Sequence, residues 1–504
     1  MPSNDPASPA MEQYQPNKRR SLRLSLAMST AQQYTELLIT IPSMMIMSRL
    51  LTPAEIGVYS VAISFVNVVH MLRDFGTSEY IVQSTSLAGN VARSAFTITL
   101  ILAWSLAGLL FVASPWIGLF FREEGLGAVL RILCLTYLML PIGSTVNAML
   151  IREMEFGLRY RINTAQSLVQ NVVTIVLAWH GFGYFSPAWG AVAGMATSVA
   201  GCFYWAGHYR IRGGFSLEYW RPVLNFGMNK TAGSIMIRLG DSAPDFIIGR
   251  LLGFTQVGIF SRGYGLVRMF QGNISGAVGA VVFSEFSQRH RDGSGAGALY
   301  LRSITYITGI GWPFLGCAAL TAFPVMRIVF GDQWDAAVPI LRLLAVQGMF
   351  ALIVLHFQEL FTGTGRVGLA TIWVTVWQTL IIISLLATAA FGLIVLSAAL
   401  IPVTALATLC VMIGITRATE ITFSAFLKAL LPSFAVALFA LVPGGVVRWF
   451  YPASPEALWG PMLAVSAVVT AGSLLGGWLV QHPVWLELHG VFAARLGRFR
   501  KSGV

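Results

Sequence analysis

The chain has 504 residues, of which 56% are hydrophobic and only 11% charged. With a mean hydropathy of +0.71, that composition excludes a soluble domain of this length and predicts an all-α polytopic membrane protein. The formal charge of +12 does not require nucleic acid: no basic–aromatic platform accompanies it, and retention of Lys and Arg on one membrane face accounts for it.

Apolar runs of about 20 residues are long enough to cross a bilayer, and their spacing predicts about fourteen transmembrane helices. Residues 1–23 read as a disordered cytoplasmic tail. A first six-helix bundle is expected over 24–206, a cytoplasmic linker over 207–222 and a second six-helix bundle over 223–414. Two additional spans over 415–484 and a basic cytoplasmic tail over 485–504 complete the chain.

The first span contains Glu36 near its middle and Pro42, which should kink it. It ends in RLLTPAEIGVYS, Arg49 to Ser60. Thr52 suits the N-cap there, Pro53 the first helical position, and Glu55 closes a capping box with Thr52. The second span carries Asn67, His70, Arg73 and Asp74, the last two expected to pair. IREMEFGLRYR (151–161) reads as a basic loop retained on the cytoplasmic side, and RIRGGFSLEYWRP (210–222) as an interfacial linker.

The hairpin then recurs as RLLGFTQVGIFS, Arg250 to Ser261, 201 positions later (250 − 49) and without a gap. Such a register marks an internal repeat. An offset of six spans keeps both copies in the same orientation, so they should be related by an axis along the membrane normal. The second copy is richer in charge. Arg238, Asp241 and Asp245 are spaced i, i+3 and i+7 on one face, and Arg262 and Arg268 follow. In FPVMRIVFGDQWDAAVPILRLL (323–344), Asp335 reads as an N-cap, Trp334 as an interfacial anchor and Pro339 as a first-turn proline, with a weaker echo at 114–136. Cys134, Cys202, Cys317 and Cys410 stand singly in apolar runs with no metal-ligand spacing.

Of the 33 basic residues, 22 fall on the N-terminal side of the predicted spans and seven on the opposite side. The positive-inside rule then makes both termini cytoplasmic. An ionised side chain inside the bilayer costs several kcal/mol unless paired or hydrated, so such residues mark function. Arg238, Arg262, Arg268 and Asn67 are the candidates for binding an anionic substrate, because guanidinium forks suit phosphate oxygens. Glu36, Asp241 and Asp245 are the candidates for proton or sodium coupling, with Glu285 a further acidic group near the cleft. No residue reads as catalytic, and no metal or cofactor is expected. No GxxxxGK[ST] motif is present, so ATP does not drive transport through this chain.

The stretches 49–76, 244–266 and 323–345 together resemble the polysaccharide-transport flippases, the Wzx-like members of the multidrug/oligosaccharidyl-lipid/polysaccharide exporter superfamily. The resemblance implies two six-helix bundles and movement of an undecaprenyl-pyrophosphate-linked oligosaccharide across the cytoplasmic (bacterial inner) membrane, for exopolysaccharide, capsule or O-antigen synthesis. It implies a polysaccharide polymerase and export proteins as partners. Asp245, Arg250, Gly258 and Arg262 occupy the family's recurring D…IGR.LG…G.[YF].R pattern. Two other readings stay open: a multidrug or metabolite antiporter of the same superfamily, and a non-transporting membrane partner of a polysaccharide export complex.

Overall fold

The computed structural model describes residues 22–74, 77–83, 89–207, 215–292 and 296–486. The tails expected at 1–23 and 485–504 lie largely outside them, as does 208–214 of the linker. The described chain is all-α. Its first half comprises α1 (Leu22–Leu50), α2 (Pro53–Asp74), the short α3 (Thr77–Gln83), α4 (Gly89–Phe121), α5 (Glu124–Arg152), α6 (Phe156–Trp179) and α7 (Phe185–Trp205). The second comprises α8 (Trp220–Leu251), α9 (Phe254–Arg291), α10 (Gly297–Leu320), α11 (Ala322–Val329), α12 (Val338–Leu352), α13 (Phe357–Gly363), α14 (Val367–Thr388) and α15 (Leu393–Ala418). Two long helices follow, α16 (Phe423–Phe450) and α17 (Trp459–Leu479), packed on each other and on α10.

Nine of the described helical segments are long and apolar enough to cross a membrane. The other long helices are α1, α6, α7, α8 and α9, of 21 to 38 residues. Their lower hydropathy has a physical source: α1, α6, α8 and α9 carry the ionised and amide side chains, and α7 is rich in Gly and Ser. Helices that turn a polar stripe toward protein do not need lipid-like surfaces all round.

Duplication is visible in the packing. In the first half α1 lies on α6, α6 on α7, α5 on α7, α4 on α5 and α2 on α5. In the second half α8 lies on α14, α14 on α15, α12 on α15, α10 on α12 and α9 on α12, which is the same arrangement. The halves meet mainly through α2, which packs along both α8 and α9.

The tightest point of that interface is the end carrying the α1–α2 and α8–α9 turns, the hairpin end. Thr52 and Glu55 form the expected capping box: the Thr52 N–H donates to Glu55 Oε2 at 2.7 Å and the Glu55 N–H to Thr52 Oγ1 at 3.3 Å. One turn on, Gly57 abuts the backbone of Phe254, and its repeat partner Gly258 abuts the backbone of Pro53. A Cβ at either glycine would overlap the facing carbonyl. Small residues at a helix crossing allow backbones to approach this closely.

Side chains reach across the same end. Arg49 Nη2 donates to the Ile328 carbonyl at 2.7 Å, while Arg250 lies over the Phe120 ring at 5.0 Å. Trp334 corrects the sequence expectation. It is fully buried rather than anchored at the interface, and its Nε1 donates at 2.7 Å to the Ser48 carbonyl, one of the orphan acceptors at the α1 C-terminus. Gln333 donates to the Ser48 and Leu51 carbonyls. Asp335 is no N-cap: it takes a bidentate pair from Arg327, with Nε at 2.8 Å from Oδ1. That hydrogen bond holds the Arg327 guanidinium above its usual pKa. The pair braces the turn that caps α1, and Pro339 sits in the first turn of α12 as expected.

Gly57→Val should part the hairpins, since overpacking costs about 1–3 kcal/mol. A cysteine at position 48, in a background lacking the four native cysteines, should then react roughly tenfold faster or more with a water-soluble maleimide. Unchanged labelling would show that the glycine crossing does not hold this end shut.

Candidate functional site

Moving along α2 and α9 away from the hairpins, the interface changes from glycine and aromatic contacts to polar ones. Ser64 Oγ on α2 donates to Asp245 Oδ2 on α8 at 2.5 Å, and Ser242 Oγ donates to the Ser64 carbonyl at 3.4 Å. One turn further along α8, Asp241 Oδ2 meets Arg268 Nη2 of α9 at 3.2 Å. The Arg268 guanidinium also lies over the Tyr264 ring at 5.5 Å. Both charged side chains stay substantially accessible, 43% for Arg268 and 32% for Asp241, so the cluster borders open space instead of the packed core. A cavity of about 70 Å³ adjoins Asp241 and is bounded by Tyr264, Gln347 and Gln378.

Asn67 and Arg268 stand ten residues beyond Gly57 and Gly258 (67 − 57 and 268 − 258), about 15 Å down each helix. Both are exposed on the two helices that touch at the hairpin end. The interface of the halves is thus closed at the hairpin end by glycine contacts and carries Asn67, Arg268, Asp241 and Asp245 midway along α2, α8 and α9.

The remaining predicted residues are dispersed. Arg238 lies exposed on α8, and Asp241 pairs with Arg268 in preference to it. Arg262 belongs to the hairpin end, its guanidinium over the Phe330 ring at 5.6 Å and the Trp334 ring at 5.4 Å, with Nε buried and lacking a hydrogen-bond partner. Glu36 accepts from Gln32 Nε2 at 2.8 Å and lies within electrostatic reach of Arg159 on α6, apart from Asp241 and Asp245. Glu285 forms an i,i+4 pair with Arg289 at 3.0 Å. The side chains of Arg73 and Asp74 lie outside the described ones. Among the described residues, no group of three or more His, Cys, Asp or Glu is placed to hold a metal ion.

Arg159 is the residue that the sequence reading passed over. It belongs to a segment read as a retained basic loop, yet it sits one turn inside α6. A signal existed: Arg159, Asn163 and Gln166 are spaced i, i+4 and i+7, which puts them on one face of the helix.

Chemically, the cluster offers one guanidinium that can exchange its carboxylate partner for an anion, and two carboxylates that can take up a cation or a proton. Because the Asp241–Arg268 pair is accessible, its coupling energy should be below about 1 kcal/mol. Thermal unfolding of Asp241→Asn, Arg268→Gln and the double variant measures it. Ser64→Ala should cost more, about 1–3 kcal/mol, since it removes a hydrogen bond to a charged acceptor. A coupling well above 1 kcal/mol would make the ion pair a structural element of the fold.

Comparison with known proteins places the chain in context. A family model described as "Polysaccharide biosynthesis protein" matches residues 46–339. The teichuronic acid biosynthesis protein TuaB of Bacillus subtilis is 27% identical over 278 residues, 53% of this chain. The match spans only about half of that relative, 55%. The succinoglycan biosynthesis transport protein ExoT of Rhizobium meliloti is 26% identical over 422 residues, 82% of each chain. Among solved structures, the lipid II flippase MurJ in an inward closed conformation matches with a TM-score of 0.73 and 13% identity, over 91% of this chain and 99% of that one. At that identity the likeness is one of fold.

Proposed function

Because this chain belongs to the polysaccharide biosynthesis protein family, with more than half of its length matched, we propose that it is a flippase. Its cargo is an undecaprenyl-pyrophosphate-linked oligosaccharide, moved across the cytoplasmic membrane by alternating access. Both termini face the cytoplasm in this reading, which rests on the 22-to-seven distribution of basic residues. The hairpin end then faces outward.

One observation carries the reading: two repeated bundles meet closely at the Gly57–Gly258 crossing and carry an accessible Asp241–Arg268 ion pair midway along the same interface. A pyrophosphate head needs cations in a hydrated gap, whereas a polyprenyl tail can stay in lipid beside it. Arg268 and Arg238, with Asn67, are the residues proposed to meet the head. Arg262 acts at the pinched end, where its charge rests on Phe330 and Trp334.

Asp241, Asp245 and Glu36 are the proposed coupling groups. When a phosphate displaces Asp241 from Arg268, that carboxylate is freed to take a cation or proton, which links substrate arrival to ion movement. The relatives' names agree with this reading at the level of a class: one is a succinoglycan transport protein, the other a teichuronic acid biosynthesis protein.

Cells lacking the protein should accumulate lipid-linked repeat units on the inner leaflet while continuing to make them. Normal outward delivery of those units in its absence would overturn the flippase reading. Asp241→Asn, Asp245→Asn and Glu36→Gln combined should abolish dependence of transport on an ion gradient; transport that keeps its ion dependence would remove coupling from these three.

A further inference from the structure

Inside the first bundle, away from the hairpin end, lies a cavity of about 500 Å³, within the usual size of small-ligand sites. Its walls come from α5, α6 and α7, with the ends of α2 and α3. Ser144, Asn147, Arg159, Asn163, Gln166 and Ser198 all line it. Three amides, two hydroxyls and a guanidinium make an unusual lining for the interior of a membrane helix bundle, because each must be hydrogen-bonded or hydrated to avoid a desolvation cost.

Arg159 is the most telling of them. Its Nε is buried without a hydrogen-bond partner among the described residues, so it has a donor to offer to water or to a ligand acceptor in the cavity. Glu36 on α1 lies within electrostatic reach and offsets part of the charge, while Gln32 occupies one of its carboxylate oxygens.

The repeat supplies an internal comparison. An offset of 211 superposes VLRIL (129–133) on ILRLL (340–344), with Arg131 on Arg342, and places the first residue of α6 on that of α14 (367 − 156). Arg159 then falls on Ala370, Asn163 on Val374 and Gln166 on Trp377. In the second bundle Ala370 and Val374 pack in one buried cluster with Phe286, Phe357, Phe361 and Met412, while Asn147 falls on Gln358. The α6 face is thus polar in one copy where the α14 face is apolar in the other, so its polar stripe is not a by-product of the architecture.

We propose that this cavity is a binding site for an anionic sugar: a ring whose hydroxyls bond Asn147, Asn163 and Gln166, and whose carboxylate or phosphate meets Arg159. The site deepens the flippase reading by assigning the saccharide part of the cargo to the first bundle, and it rests on that reading for its physiological role. Its chemistry can be tested without transport.

Purified full-length protein is titrated with three soluble probes: a uronic-acid-containing disaccharide, glucose 1-phosphate, and maltose as the neutral control. The two anionic probes should bind at least about tenfold more tightly than maltose, as expected of a charge-assisted hydrogen bond. Arg159→Gln should remove that preference, and Arg159→Lys should restore part of it. Gln166→Trp, which imports the second-half residue, should abolish binding of all three while the protein stays monodisperse with unchanged thermal unfolding. If Gln166→Trp fails to fold, Asn163→Val serves the same purpose. Uronate binding without glucose 1-phosphate binding would identify a carboxylate as the anion recognised, and the reverse a phosphate. An Arg159→Gln protein with wild-type preference, or a wild-type protein that binds none of the probes, overturns the site. Neither result bears on accumulation of lipid-linked units in cells, so the flippase reading stands or falls separately.

Discussion

The structure depends on two backbones touching. Where α2 crosses α9, Gly57 meets the Phe254 backbone and Gly258 meets that of Pro53, and neither glycine has room for a Cβ. A contact this close fixes both the separation and the pseudo-twofold relation of the halves at one end. Beyond it the contacts between the halves turn polar: Ser64 meets Asp245 across α2 and α8, and farther on Gln33 Nε2 of α1 lies 3.4 Å from Asn273 Oδ1 of α9. Capping the α1 C-terminus with Trp334 and Gln333 from the other half turns the pinch into a latch. These bonds satisfy backbone carbonyls that would otherwise need water.

Charge inside the bundle is handled in four ways, each with its own consequence. Asp241 and Arg268 pair across two helices while remaining accessible, which suits groups that must change partners. Asp245 is satisfied by a hydroxyl from the opposite half, so its environment is tied to how the halves are arranged. Arg262 rests on aromatic faces, where its charge is screened without a carboxylate and adds to cohesion of the pinched end. Arg159 is left with a donor unmet beside a cavity. The first and last of these are the ones proposed to receive a ligand.

The two copies share a packing plan and differ in what fills it. An apolar, partly aromatic cluster packs on the α14 face of the second bundle, where the matching α6 face of the first lines a cavity. The second half, in turn, contributes the charged side chains Asp241, Asp245 and Arg268 of α8 and α9 to the interface with α2. Duplication followed by divergence of side chains thus gives two bundles of one backbone design with different polar faces.

The sequence by itself determined the class of the fold, the number of long helices, the repeat and the capping box at Thr52. Each of these is written in local periodicity, in composition or in a register that recurs without gaps. It also marked candidate residues by their cost: an ionised side chain in an apolar run is visible without a structure. Partners were not legible. Asp241 is three residues from Arg238 yet pairs with Arg268, twenty-seven positions on. Trp334 was read as a surface anchor and is buried against Ser48 of the other half. Arg159, counted with a loop, faces a cavity that forms only when α5, α6 and α7 assemble. Spacing along one helix fixes which face a side chain occupies, but the helix that this face meets is set by packing between distant segments, and only the tertiary structure decided it.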